Sequence, residues 1–375
     1  MIRVAFVDQI GRAPGGAEQT LAAFLRHAPT DIEPIVVLFE DGGFADRVRA
    51  LGVPVEIITI PYSIGSATRE RPQLSAAFQI PPVAFALART LRRRSVELVY
   101  TNTMKAHFVG APAARLAGIP CIMHFHDIVA GVGLRALRSV AKFGTRERIA
   151  CSQAVADAIG LGKTTVIYAP IELEDYAALP DREDARRGLG FLDATPVVAI
   201  IGRINRWKGH ERFLRIAARV SAEVPSRFAI VGAPVFRDAD FVPELHKLVD
   251  ELELTSCVSF IPWVDDVRTV YAAIDVNVNC SFREPFGRTS VEAAAAGVPT
   301  ICFDDSGAAE TIVHGVTGLV VPAGDERSFA EAIIHYLRDA ARRRANGTAA
   351  RRASFRFDAK LIAAETADVI RRVAA

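Results

Sequence analysis

Cysteine is sparse and unpaired in this sequence. The five cysteines, Cys121, Cys151, Cys257, Cys280 and Cys302, are odd in number, scattered, and contain no C-x-x-C pair, a pattern that argues against a disulfide framework and a zinc site. Net charge is almost absent as well. The 45 Lys and Arg against 43 Asp and Glu leave +2, too little for a protein that must neutralise the many phosphates of a nucleic acid. Nucleic acid is therefore not an expected partner, and any anion is bound locally. Lysine stands only at positions 105, 142, 163, 208, 247 and 360, so arginine carries nearly all the positive charge. Long apolar runs are missing too. The longest uncharged run, Pro72 to Ala88, is too short to span a bilayer comfortably and holds Pro81-Pro82 in its middle, so no transmembrane helix is expected. The opening run Ile2 to Val7 is broken by Asp8 before it could serve as a signal-peptide core, and no small-residue cleavage site follows. A cytoplasmic protein is expected.

What is present is a chain of 375 residues, 50% apolar and 23% charged, which predicts two domains with ample cores. Short β-branched runs alternate with helical stretches: IRVAFVD at residues 2–8, PIVVLF at 34–39, VELVYTN at 96–102, IPCIMHF at 119–125. That alternation predicts a parallel sheet with crossover helices. It stops near residue 170 and resumes at PVVAIIG, residues 196–202, continuing through RFAIVG, CVSFIP, IDVNVNC and PTICF. The fold class expected is α/β, two Rossmann-like doubly wound domains facing a central cleft. Residues 1–170 form the first domain, 171–355 the second, and 356–375 a terminal helix that could return to the first. In such sheets ligands bind beyond the carboxyl ends of the strands, and the cleft is the default site.

The loops leaving those ends carry the informative residues. Gly15-Gly16-Ala17-Glu18 follows the first strand, where glycines let backbone N–H groups approach an anion at a helix N-terminus; a plain tight turn is the bland alternative. It is not G-x-G-x-x-G, although Glu40 ends the second strand where a nicotinamide fold would hold ribose. Asp157 to Thr164 approaches a P-loop but lies between a helix and a strand, the wrong order for phosphate cradling. Asp238-Ala239-Asp240 formally spells D-x-D, which a solvated loop explains as well. Arg203 and Lys208 lie five residues apart between a strand and a helix start, an arrangement suited to a diphosphate.

The densest passage runs from Ser281 to Pro299. Glu284 precedes a proline and is biased into the loop; Glu292 falls in the following helix, ended by Gly297 and Pro299. Glu292 has a structural alternative, because Thr289-Ser290-Val291-Glu292 fits a capping box. His124, His126 and Asp127 end one strand and Asn102 a neighbouring one; alternation puts both histidines on one face, and no third ligand has zinc spacing. Residues 134–143 set Arg135, Arg138 and Lys142 at helical spacing among Leu134, Leu137 and Val140. Such a helix could lie on anionic lipid, or be an ordinary surface helix.

In their order along the chain, the Gly15-Gly16 loop, His126-Asp127, Gly202-Arg203 with Lys208-Gly209, and Glu284 and Glu292 with seven residues between, make the sequence resemble the retaining glycosyltransferases of GT-B fold in family 4. The likeness covers nearly the whole chain, and the two spaced glutamates within EPFGRTSVEAAAAGVPTI are its most specific part. It implies an acceptor-binding first domain and a donor-binding second one. It further implies that Arg203 and Lys208 hold the nucleotide diphosphate and that the backbone of Phe286, Gly287 and Arg288 approaches phosphates and sugar. Glu284 would bind sugar hydroxyls, Glu292 the ribose. Gly15 and Gly16 would sit under the phosphates, and His126 would contact the donor sugar near the reacting carbon. Asn102 and Asp127 are candidates for the acceptor.

The activity implied is transfer from a UDP-, GDP- or ADP-sugar to a glycan, lipid-linked or small-molecule acceptor with retention, using no cofactor and no metal. The expected location is the cytoplasm or the inner face of the plasma membrane. The linker departs from the family, reading Tyr168-Ala169-Pro170-Ile171 where many members have asparagine-glycine. A catalytically silent nucleotide-sugar-binding protein, a sugar-nucleotide epimerase or a phosphorylase of similar architecture are the rivals.

Overall fold

The computed structural model describes residues 1–9, 15–61, 74–234 and 240–375. It divides into two units, Met1–Ile171 joined by Phe357–Ala375, and Glu172–Arg356.

The first unit is built on β1 (Ile2–Asp8), β2 (Ile32–Leu38), β3 (Val55–Ile57), β4 (Leu98–Thr101), β5 (Cys121–Phe125), β6 (Glu147–Ala150) and β7 (Thr165–Val166). They form one parallel sheet in the order β3-β2-β1-β4-β5-β6-β7. β4 and β5 are buried along their whole length, as near-continuous apolar strands are when helices cover both faces of a parallel sheet. Val4, Phe6 and Leu38 pack with Leu21, Phe24 and Phe44 from the helices, and with Ile362, Ala367 and Ile370 from the terminal helix Ala359–Ala374. That helix lies against helix Gly16–Arg26, so the end of the chain completes the core begun by its first strand.

The second unit repeats the plan with β8 (Val197–Ile201), β9 (Arg227–Val231), β10 (Val258–Ile261), β11 (Val276–Asn279), β12 (Thr300–Phe303) and β13 (Gly318–Val321). Their order is β10-β9-β8-β11-β12-β13, all parallel. Val198, Ile200, Phe213, Phe228, Phe303 and Phe329 form its core. In both sheets the order reverses direction beside the first strand, between β1 and β4 and between β8 and β11. The loops leaving those strands open the crevice where such sheets take ligands.

Pro81-Pro82 lie inside helix Leu74–Arg93. Both are exposed, so backbone carbonyls deprived of their usual donors can turn to water. No helix among the described residues is long and apolar enough to cross a membrane.

Candidate active site

In the second unit, two loops meet beyond β8 and β11. After β8 the chain passes Gly202 and Arg203 and turns through Arg206–Lys208, where the Asn205 side chain accepts the Lys208 N–H at 3.2 Å. Gly209 then starts helix His210–Ser221 at φ +77°, and a Cβ there would stand 2.0 Å from the Cys280 carbonyl oxygen. Only glycine both adopts that backbone and allows this approach. The loops are further joined by the Phe282 N–H, which donates to Trp207 O at 2.7 Å.

This contact brings Lys208 to Glu284. The ammonium Nζ is 2.7 Å from Glu284 Oε2, and the Ser281 hydroxyl donates to the same oxygen at 2.7 Å. Glu284 is only 6% exposed, so its charge depends on these partners. Arg203 is exposed. Arg206, which sequence spacing alone could not separate from it, is held by Glu244 through contacts of 2.6 and 2.8 Å.

Beyond Glu284 the loop buries the Phe286 side chain, leaving its backbone as the part that could meet a ligand. Gly287 is the N-cap of helix Arg288–Ala295, at φ +88°, and a Cβ would come within 2.7 Å of the Ala308 Cβ. This overturns the capping-box alternative for Glu292. With Gly287 at the cap, Thr289 is already inside the helix, and its carbonyl accepts the Tyr271 hydroxyl at 3.2 Å. The same hydroxyl lies 3.0 Å from Glu292 Oε2, and an Arg288 guanidinium nitrogen is 3.6 Å from Oε1. Burial raises the Glu292 pKa above the usual carboxylate range, with Arg288 and the Tyr271 bond opposing it. The start of this helix thus lies beside a loop holding a cation and a carboxylate, and a helix N-terminus next to a cation fits a phosphorylated polar ligand.

The first unit has a second polar cluster at the ends of β1, β4 and β5. Asp8, fully buried, accepts the Asn102 amide at 2.7 Å and the Thr103 hydroxyl at 3.0 Å. Asn102 Nδ2 also donates to Ala17 O at 2.9 Å, in the first turn of the helix that follows Gly15 and Gly16. With its amide hydrogens spent on Asp8 and Ala17, Asn102 turns Oδ1 to His126 Nε2, 2.9 Å away. Nε2 therefore carries a proton. One asparagine ties the glycine loop to the histidine, a bridging part that its reading as an acceptor ligand did not foresee. The Gly15 N–H is bound by the buried Glu18 carboxylate at 2.7 Å, while Gly16 is exposed.

His124 and His126 do share a face, with ring centroids 3.9 Å apart, but they differ in kind. His124 is buried, bonded through Nδ1 to Tyr100 OH at 2.7 Å, and burial drives its pKa well down. His107 is likewise pushed down to about 3 by burial. Both are neutral packing groups. His126 and Asp127 are partly exposed and line a small hollow with Thr103 and Met104.

Asp8 and Tyr271 are the residues that sequence reasoning passed over. Asp8 was visible as an acid ending the first strand; Tyr271 stands outside every motif. Asp238, and with it the D-x-D reading, lies outside the described residues. Among those described, no group of three or more His, Cys, Asp or Glu side chains is placed to hold a metal ion.

Two family models match the sequence in succession, "Glycosyltransferase Family 4" over residues 14–175 and "Glycosyl transferases group 1" over residues 181–353. D-inositol 3-phosphate glycosyltransferase 2 of Catenulispora acidiphila is 31% identical over 219 residues, 56% of this chain and 51% of that protein. A D-inositol 3-phosphate glycosyltransferase of Stackebrandtia nassauensis is 28% identical over 274 residues, 65% and 62% of the two chains. The chain thus spans about half to three fifths of the length of these relatives. Among solved structures, Anabaena HepE in complex with UDP and glucose is 30% identical, with a TM-score of 0.85 over 99% of both chains. A further HepE structure contains UDP-glucose.

Proposed function

The chain belongs to the GT-B glycosyltransferases of family 4, and we propose that it moves a sugar from a nucleotide-diphosphate sugar to a glycan, lipid-linked or small-molecule acceptor, with retention of anomeric configuration and without a metal. The observation that carries this reading is the Lys208–Glu284 pair at the end of β11, beside the start of helix Arg288–Ala295. Breaking the anomeric bond leaves a diphosphate whose growing charge requires fixed cations and dipoles. Lys208, Arg203 and the N–H groups of residues 286–288 supply them. Glu284, held by Lys208 and Ser281, accepts hydroxyls of the sugar. Glu292, steadied by Tyr271 and Arg288, accepts the ribose hydroxyls. In the first unit, Gly16 is assigned to phosphate contact and His126 to the sugar, with Asp127 on the acceptor. His126 keeps Nε2–H on Asn102, which fixes the orientation of its ring.

UDP is the favoured nucleotide, because HepE, which resembles this chain over its full length, binds UDP and UDP-glucose. A thermal-shift series with UDP, GDP and ADP tests this, since a ligand at about 100 times its Kd adds roughly 2.7 kcal/mol to native stability. UDP should raise the melting temperature most. No shift with any of the three would remove the donor-site assignment. A shift without sugar transfer or donor hydrolysis would leave a nucleotide-sugar-binding protein.

A further inference from the structure

Helices Leu74–Arg93, Met104–Ala117 and Gly131–Gly144 pack side by side in the first unit. None of the three contains an aspartate or glutamate. From residue 74 to 146 the chain holds ten Lys and Arg against two carboxylates, Glu97 and Asp127, although its whole balance is only +2. The middle helix is largely buried and the outer two present stripes to solvent. On Leu74–Arg93 the stripe is Phe78, Phe85 and Arg89, with the phenylalanines 83% and 57% exposed. On Gly131–Gly144 it is Arg135, Lys142 and Phe143, the last 77% exposed.

The geometry corrects the amphipathic reading of residues 134–143. Leu137 faces the protein, fully buried, and Arg138 donates to Ile159 O at 2.6 Å. Of the apolar side expected to meet lipid, Leu137 is spent in the fold and Leu134 and Val140 are half-buried, so the most exposed apolar group of the stretch is Phe143. Arg89, Arg135 and Lys142 make no ion pair among the described residues. Arg93 and Arg94 are excluded from the set because Glu56 pairs with both.

We propose that the outward stripes of helices Leu74–Arg93 and Gly131–Gly144 dock on an anionic lipid bilayer, with Phe78, Phe85 and Phe143 entering the interface and Arg89, Arg135 and Lys142 meeting lipid phosphates. Exposed aromatic rings on a helical face free of carboxylates gain from the acyl boundary what they forgo in water, and the cations match the surface charge. A nucleic acid would satisfy the cations and leave the three rings unused. The proposal does not rest on sugar transfer, because docking needs no donor and no turnover.

The test is co-sedimentation of the full chain with phosphatidylcholine vesicles, with and without about 30% phosphatidylglycerol, at low and high salt. Binding is expected only to the anionic vesicles and should fall with salt. Each Lys or Arg near the surface should contribute about five-fold, so R89Q/R135Q/K142Q should bind roughly 100-fold less well. F85S/F143S, whose charge is unchanged, should lose at least about ten-fold. Thermal melts of both variants, with all positions solvent-exposed, should match wild type. Equal or absent binding to the two vesicle types overturns the proposal, as does full binding by F85S/F143S or by R89Q/R135Q/K142Q. Stronger binding to a duplex oligonucleotide than to the anionic vesicles would transfer the face to nucleic acid. An unfolded variant is replaced by the single changes K142Q and F143S, read against the same outcomes.

Discussion

The ammonium of Lys208 lies 2.7 Å from Glu284 Oε2, the oxygen that also receives the Ser281 hydroxyl. The cation assigned to the diphosphate therefore also holds the carboxylate assigned to the sugar, and neither can be removed without changing the other.

Lys208→Met should lower stability by about 1–3 kcal/mol, because it leaves Glu284 buried with the Ser281 hydroxyl and no counter-charge. The double variant Lys208→Met/Glu284→Gln should recover part of that loss, a coupling visible in urea denaturation of the two singles and the double. Additive losses would mean that the pair contributes nothing as a pair. Glu284→Gln alone should reduce kcat more than it raises donor KM, since the carboxylate faces the sugar where charge develops.

Glu292→Gln separates stability from binding. Burial raises the pKa of Glu292, so the native carboxyl keeps its proton to higher pH than the unfolded one. The native state then binds more protons just above the ordinary glutamate range, and stability falls as pH rises through that window. Glutamine abolishes this slope while still accepting the Tyr271 hydroxyl, so the variant should be at least as stable as wild type at neutral pH. Donor binding should weaken by about 1–3 kcal/mol, because one acceptor oxygen facing the ribose becomes a donor. Melting curves between acid and neutral pH, with UDP titrations on the same samples, give both readings.

Asn102→Ala should cost about 2–3 kcal/mol by stripping a bond from the fully buried Asp8. It should also remove the acceptor that fixes a proton on His126 Nε2. Imidazole nitrogen NMR should report Nε2–H in the wild type and a mixture in the variant, a readout that a purely structural asparagine would leave unmoved.

Transfer should survive EDTA, with Arg203, Lys208 and the helix start carrying the diphosphate. Loss of turnover on chelation, restored by magnesium or manganese, would reassign that charge to a metal. Product NMR should find the anomeric configuration of the donor unchanged; inversion would refute retention.

The strand-and-helix alternation made the two parallel sheets legible, because buried parallel strands read as unbroken apolar runs. The spacing of Glu284 and Glu292 was equally plain. What joins the site residues was hidden. Nothing near Asp8 distinguishes a buried network acid from a solvated one ending a strand, since Asn102 reaches it only through the pairing of β1 with β4. Tyr271 meets Glu292 only once the helix Val267–Ala273 is placed beside the start of the next. The capping-box alternative at Thr289 stayed open in the sequence for the same reason. A four-residue match carries no information about where the helix starts, which close packing of Gly287 against Ala308 decides.

The terminal helix has a consequence for how the protein comes into being. Ile171 and the segment opening that helix are bonded to one another, Ile171 N–H to Phe357 O and Ala359 N–H to Ile171 O, with the whole second unit threaded between them. The strand Ile2–Asp8 leaves the ribosome well before the side chains that finish its core, Ile362, Ala367 and Ile370. At about 5–20 residues per second, the first-born half of the molecule waits on the order of ten seconds or more for its closing piece. The second unit, whose core is wholly its own, can fold during that wait. Assembly thus runs opposite to translation: the half that is made first is completed last.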